Sequence, residues 1–446
     1  MRHSVSNSWD VIVVGGGPAG IASAIAASRS GARTLLIERN GFLGGEGATG
    51  LPIFVFHDLR GNKILDGIPQ EFVDYLKKIE GSTGHVRIEG SHISTYTLTD
   101  QEMVRYGAME MILNSGTELL LHSFVTGVKV NNEHILAVEV ANKSGITAMK
   151  STFFIDSTGD GDIAAAAGAP FEKGRPSDGL MQAMTLMFRL GRVDLEKVGR
   201  LWNKGSVKGI KPGEKEESYI RGNGTLGPYE KYALEENLFA DKNHMFWFNS
   251  MHSGELNINV TRIVEKDATN AHDLTEAEIE GRRHIMRIVR FLKKYVPGFE
   301  NCYIISVAHK VGVRETRRIR GEYVLTEDDI LEGRDFPDSI ARCGYPYDLH
   351  DPKGGSTKFK FIKGQGSYGI PYRILIPVRI DNLLVAGRCA STTHEALASI
   401  RVMGACMAMG QAAGTAVGLC LQEKTIPRKL DYAILRKRLL SDNVIL

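Results

Sequence analysis

Cysteine is scarce in this chain, with five residues among 446, at Cys302, Cys343, Cys389, Cys406 and Cys420. They form no C-x-x-C pair and no His-bracketed ligand spacing. Neither a disulfide framework nor a metal site is therefore expected, and a reducing, cytoplasmic location is. Proline stands at only 14, too few for a low-complexity linker. An excess of one charge is also missing: 55 Lys and Arg balance 52 Asp and Glu for a net charge of +3. No basic stripe marks nucleic acid as the partner. The opening MRHSVSNSWD has no apolar segment and no twin arginine, so no secretory leader is expected. One long apolar run exists, residues 402–421, with Gln411 and Thr415 as its only polar side chains. Its length would suit a membrane span. Its Ala, Gly and Met content, with small residues at Gly410, Gly414 and Gly418, points instead to a closely packed buried helix.

What the chain has in excess is glycine: 49 residues, about 11%, against a background of about 7%. At 446 residues one hydrophobic core is not enough, and two domains are expected. Residues 10–14 (DVIVV) are a short apolar run followed by glycines, an Ala-rich stretch ending at Gly31, and TLLIE at 34–38. This reads as a β-α-β unit whose first strand is buried on both faces. Capping boxes predict helix starts at Thr99 (with Glu102) and Thr275 (with Glu278), and strands are expected at 118–130, 134–141 and 151–156. From 176 to 369 aromatic and polar residues mix without β-α-β rhythm, and 303–325 reads as one or two long strands. The apolar run 383–386 then returns to the first pattern. The expected fold class is α/β: a Rossmann-like domain with a parallel central sheet (9–175 and 370–425), interrupted by a mixed, antiparallel-rich substrate domain (176–369). A basic surface helix (426–446) would follow.

Gly15, Gly17 and Gly20 form G-x-G-x-x-G between a strand and a helix. The first glycine permits the tight turn, the second lets backbone approach a pyrophosphate, and the third allows helix and strand to pack closely. Glu38 ends the second strand 18 residues after Gly20, where a carboxylate accepts hydrogen bonds from ribose hydroxyls. The ligand is a dinucleotide. Further glycine clusters at 41–50, in FFIDSTGDGDIA (153–164) and after NLLVA (382–386) suit an extended ligand that touches the sheet at three places. FAD fits this better than a compact NAD.

At DVIVVGGGPAG, IDSTGDGD, VGVRETRRIRGEY, GIPYR and AGRCASTTHEALASIRVMGACMAMGQAAG the chain resembles the FAD-dependent oxidoreductase family of the glutathione-reductase-like fold, with distant kinship to fumarate reductase flavoproteins. The resemblance implies that Gly15, Gly17 and Gly20 hold the pyrophosphate, Glu38 the adenosine ribose and Val125 the adenine through its backbone. Thr158 and Gly159 would meet the cofactor interior. Gly387 and Arg388 would stand where relatives carry Gly-Asp on the ribityl chain, so Arg388 departs from that pattern. Pro18, Ala19, Arg39, Gly45 and Met403 are further cofactor-binding candidates. The helix starting near Arg401 would aim its positive end at the flavin.

His394, in STTHEA between the last strand and that helix, is the expected base for the proton coupled to hydride transfer; a structural histidine is the alternative. Alternation along a strand would put Arg314, Arg318 and Arg320 on one face and Arg317 on the other. Arg314 is the candidate to fork onto a substrate anion, with ion pairs to Glu315 and Glu322 as the alternative. The segment 354–369 reads as a lid. No second G-x-G-x-x-G and no C-x-x-x-x-C is present, which removes an NAD(P)H-docking domain and a dithiol mechanism. The expected function is an FAD-dependent dehydrogenase or oxidase that takes hydride from a C–OH or C–NH carbon of a polar small molecule. Reduction of an activated C=C bond is one alternative, and electron transfer to a partner protein is another. A small-molecule substrate is the expected partner, with neither nucleic acid nor membrane; self-association is left open.

Overall fold

The computed structural model describes residues 8–88, 93–201, 221–225, 229–238, 244–355, 357–364 and 366–446. The first sheet is built on β1 (Ser8–Val14), which pairs in parallel with β2 (Thr34–Ile37) on one side and with Gly145–Asp156 on the other. Glu118–Leu120 extends it beyond β2, and Leu383–Val385 pairs in parallel with the end of Gly145–Asp156. That long strand also leads an antiparallel meander through its first half, with His134–Asn142 and then Phe124–Asn131. Val11, Ile12 and Val13 are fully buried, as strands covered on both faces must be.

Helix α1 (Pro18–Arg29) crosses between β1 and β2 and ends with Ser30 as C-cap and Gly31 at φ +89°. Against it packs the helix Met403–Glu423. A Cβ on Gly410 would lie 2.1 Å from the Ala19 carbonyl oxygen, one on Gly414 2.1 Å from that of Ser23, and one on Gly418 2.3 Å from the Ser30 Cβ. The small residues thus let two backbones touch. Of the helix's most apolar window, 94% is buried inside the protein, the pattern of a core helix.

The second sheet is antiparallel, in the order Arg221–Thr225, His244–Asn249, Leu256–Asn259, Phe188–Gly191, Tyr303–Val307. The 25-residue helix Ala271–Tyr295 covers it, burying Ile285, Ile288, Phe291 and Leu292 against Phe188, Trp247, Leu256 and Ile258.

Several expectations are corrected. Asp100, not Thr99, caps the helix Gln101–Asn114 by accepting from the Glu102 and Met103 N–H groups. Asn270 caps the helix expected to start at Thr275, whose hydroxyl instead bonds the Ala271 carbonyl inside the helix. Asp and Asn are the stronger N-cap residues and take the cap ahead of Thr. The strand expected at 118–130 breaks at His122, which turns with φ +52°. The stretch 303–325 holds two short strands rather than one or two long ones, Tyr303–Val307 and Arg317–Ile319, with isolated bridges at Gly312, Gly321 and Leu325. Ile340, Ala341, Cys343, Tyr345 and Tyr368, from within 176–369, pack in the same hydrophobic core as Val11 and Val13 of β1. A three-stranded sheet, Ile53–Phe54, Thr95–Thr99 and Ser82–Arg87, adds an unforeseen module to that core. The tail helix, Tyr432–Ser441, is no purely surface element, since Leu435 and Leu439 are buried in the same core.

Candidate functional site

The parallel strands end along one edge, where the Gly15 N–H bonds the Ile37 carbonyl, the Ser157 N–H that of Val14 and the Ala386 N–H that of Asp156. Crevices outside the carboxyl ends of such strands hold ligands. Two cavities lie here, of about 210 Å³ and about 90 Å³. They share Gly17, Gly45, Ser157, Thr158 and Lys310, so they form one elongated groove.

The three loop glycines differ in what they answer to. Gly15 stands at φ +100°, and a Cβ on Gly20 would sit 1.7 Å from the Gly15 carbonyl oxygen; both are required by the protein itself. A Cβ on Gly17 would meet nothing nearer than the Gly45 Cα at 4.0 Å. Its missing side chain therefore serves whatever enters the groove. Gly17 is also the N-cap of α1 and offers no side-chain cap, with Pro18 next, so the first N–H groups of the helix are free for an anion.

The smaller cavity is lined by Gly15, Glu38, Arg39, Asn40, Val125, Asp162 and neighbours. Glu38 is 7% exposed and accepts from the Gly16 N–H at 2.6 Å and the Asn40 N–H at 2.8 Å. The carboxylate thereby joins the loop to the end of β2. In the middle of the groove, Asp156 is fully buried and accepts from the Thr158 N–H and hydroxyl and from the Ile163 and Ala164 N–H groups. Burial pushes it up to about 6. It fixes the turn that carries Thr158 and Gly159. Arg388 reaches Asp160 at 2.7 Å and Thr316 at 2.8 Å. Burial would raise Asp160, but the charge and hydrogen bond of Arg388, with the Lys310 charge and the Thr316 hydroxyl, together hold the carboxyl below its ordinary value.

The larger cavity is lined by Pro18, Ala19, Gly159, Gly387, Arg388 and Met403, and then by Arg314, Tyr345, Asp348, His350 and Arg401. Arg314 donates to the Ala183 carbonyl at 2.5 Å and to Thr185 Oγ1 at 2.8 Å. Burial, and then the charge of Arg401, pushes its guanidinium down to about 9. Arg401 reaches only the backbone oxygen of Asp348, at 3.4 Å, and its Nε has no partner. Among the described residues neither arginine is paired with a carboxylate. His350 Nε2 stands 3.4 Å from Asp348 Oδ1, and its Nδ1 faces Thr357 Oγ1 at 3.2 Å and Arg262 at 3.3 Å. Burial, and then the charge of Arg314, pushes His350 down to about 4, which leaves a neutral imidazole at pH 7. Asp348 takes a hydrogen bond from the Tyr345 hydroxyl at 2.8 Å. Burial would raise Asp348, but His350 and Arg401 hold it below the usual carboxylate range. The N-terminus of the Met403–Glu423 helix, with Val402 as an N-cap that makes no side-chain bond, opens on this cavity.

Gly15, Gly17, Pro18, Ala19, Glu38, Arg39, Gly45, Val125, Thr158, Gly159, Gly387, Arg388, Met403 and Arg314 all border the groove, whereas Gly20 lies beneath it. His394 does not border it. It is 2% exposed and holds Glu315 at 2.7 Å, while Glu315 also binds Arg318. This buried hydrogen-bonded cluster gives His394 a structural task away from the groove, so it is not placed to act as the base. The arginine alternation fails as well, because Arg314 precedes the short strand, Arg318 is buried and Arg320 is exposed. Tyr368 bonds Ser399, Tyr372 the Pro427 carbonyl and Arg373 Asp338; none lines the groove. Nor does the segment 354–369 read as a free lid, for Lys358–Lys360 pairs with Tyr347–Leu349, the hairpin that carries Asp348. Missed from the sequence were Ser157, Lys310, Tyr345, Asp348, His350 and the side chain of Arg401. The one available signal was Asp348 and His350 at strand spacing.

The groove fits an extended dinucleotide: it has an open Gly17 face, an uncapped helix start and a buried, unpartnered Ser157 hydroxyl. The family described as FAD dependent oxidoreductase matches residues 10–439. No curated protein matches the chain. Among solved structures, a geranylgeranyl bacteriochlorophyll reductase-like protein of Thermoplasma acidophilum is similar at 13% identity and TM-score 0.47, over 98% of this chain and 84% of that one. The myxobacterial chondrochloren halogenase CndH gives 11% and 0.49, over 97% and 78%. The p-nitrophenol 4-monooxygenase PnpA of Pseudomonas putida gives 10% and 0.46, over 98% and 84%.

Proposed function

Because the chain belongs to the FAD-dependent oxidoreductase family, we propose that it is a dehydrogenase or oxidase of a small anionic molecule, removing hydride from a carbon that bears OH or NH. The observation that carries this reading is the pair Arg314 and Arg401, two cations in the cavity beside His350 with no carboxylate partner among the described residues. Asp348 is shared with His350 and Tyr345 and forms no ion pair with either arginine, and a substrate carboxylate would pair with them. Bound FAD supplies the two-electron acceptor for the hydride. The chain's residues do the rest. Arg314 and Arg401 orient the carboxylate, and His350 takes the proton from the substrate oxygen or nitrogen as the C–H bond gives up its hydride, leaving C=O or C=N. Asp348, held by Tyr345, stabilises the imidazolium formed.

Anaerobic mixing of the yellow protein with hydroxy- and amino-carboxylates is the test. Bleaching of the flavin band by acids, and not by neutral alcohols or amines, supports the reading. A second reading, reduction of an activated C=C bond, draws support from the lowered Arg314, which would then be the proton donor. Rapid reoxidation of reduced protein by an enoate, with no bleaching by any acid, would favour it. Failure of both reactions would favour electron transfer to a partner.

A further inference from the structure

Where the two cavities join, five residues border both: Gly17, Gly45, Ser157, Thr158 and Lys310. Four come from the first domain and are uncharged. Lys310 alone carries a formal charge, and it alone comes from the connection that follows the second sheet. Its backbone neighbours fix it there, since the Ala308 N–H bonds the Met187 carbonyl at 2.8 Å and the Gly312 N–H bonds that of Thr185 at 2.7 Å. The ring of His309 stands edge-on to Phe42 at 4.8 Å, which docks this connection on the second glycine cluster. Lys310 Nζ has a loose partner, Glu46 Oε1 at 3.7 Å, longer than a charge-assisted hydrogen bond. Opposite, Ser157 is 7% exposed and its buried hydroxyl has no hydrogen-bond partner. An oxygen-rich anion at the junction would satisfy that hydroxyl, the free N–H groups of α1 and the ammonium together.

We propose that Lys310 and Ser157 bind the cofactor pyrophosphate, so that the second domain supplies the cation that the glycine loop lacks. Of the neighbouring charges, Arg388 is paired with Asp160 and Asp162 with Arg317, while Arg39 lines the smaller cavity and does not border the larger one. Lys310 exchanges its loose contact with Glu46 for the phosphate oxygens.

The test uses the full-length protein freed of flavin, titrated with ADP, which carries a pyrophosphate, and with adenosine, which does not. Lys310→Met is expected to weaken ADP about tenfold to hundredfold, the worth of one hydrogen bond to a charged group, and to leave adenosine unchanged. Lys310→Arg is expected to restore ADP binding. Ser157→Ala is expected to weaken ADP about threefold to tenfold, as for a bond from a neutral donor. Added salt should weaken ADP more in the wild type than in Lys310→Met, because the lost contact is ionic. ADP binding unchanged in Lys310→Met, or ADP and adenosine weakened in equal measure, overturns the proposal.

Discussion

Gly17 and Gly20 lie three residues apart in one loop, and alanine at each should separate what the loop does for the fold from what it does for the cofactor. At Gly20 the new Cβ would start 1.7 Å from the Gly15 carbonyl oxygen and 2.9 Å from its carbon. Neither atom belongs to a side chain that could turn away, so α1 must slide from β1. Overpacking costs about 1 to 3 kcal/mol, and a clash with backbone belongs at the upper end. At roughly 2 to 4 °C per kcal/mol for a domain of this size, Gly20→Ala should melt about 6 to 12 °C below the wild type. At Gly17 the nearest atom is 4.0 Å away and the backbone is extended, with φ −78° and ψ −174°, open to any residue. Gly17→Ala should lose no more than about 1 kcal/mol, the usual difference between a favourable and a poor N-cap. Its methyl nevertheless stands where a phosphate must approach, and FAD affinity should fall at least about tenfold. Thermal melts of flavin-free protein and FAD titrations by fluorescence quenching read the two effects. Wild-type FAD affinity in Gly17→Ala, or a wild-type melt for Gly20→Ala, would refute the reasoning.

Exchanging His350 for Gln should slow flavin reduction about 10² to 10⁴-fold at normal FAD content, whereas His394→Ala should lower the melting temperature and leave that rate within about threefold, since its ring is bonded to Glu315 and borders neither cavity; rapid-mixing absorbance distinguishes them. Burial lowers His85, His309 and His350 each to about 4, against 6.5 when unfolded. Between those values the unfolded chain binds more protons, so stability is fully present above about pH 6.5 and is lost as pH falls toward 4. Asp156, raised to about 6, works in the opposite sense, but three histidines outweigh one carboxylate. The melting temperature should therefore be lower at pH 4.5 than at pH 7, and an unchanged one would reject the burial of these rings.

The glycine loop and the placing of Glu38 were legible because they are local: strand, turn, helix and strand follow within 30 residues, and each residue type has one mechanical reason to be there. The same holds for the Met403–Glu423 helix, whose glycines recur at every fourth residue to meet α1. The substrate cavity was illegible for the opposite reason. Arg314, the pair Asp348 and His350, and Arg401 come from three separate segments, and no periodicity joins those segments. His394 misled because it sits beside the cofactor-facing helix in sequence, yet the cap at Thr393 directs it inward to the Glu315–Arg318 pair. Thr275 misled because a capping-box spacing also occurs inside a helix, where its hydroxyl bonds the preceding turn.

The claim that the arginines recognise a substrate carboxylate is tested most directly by a double-mutant cycle on flavin reduction. The acid that bleaches the flavin and its methyl ester are compared in the wild type and in Arg314→Met. The wild type should favour the acid by at least about tenfold, as expected for a lost charge-assisted hydrogen bond, and Arg314→Met should erase most of that preference. Equal rates for acid and ester in the wild type, or an undiminished preference in the variant, would contradict the account.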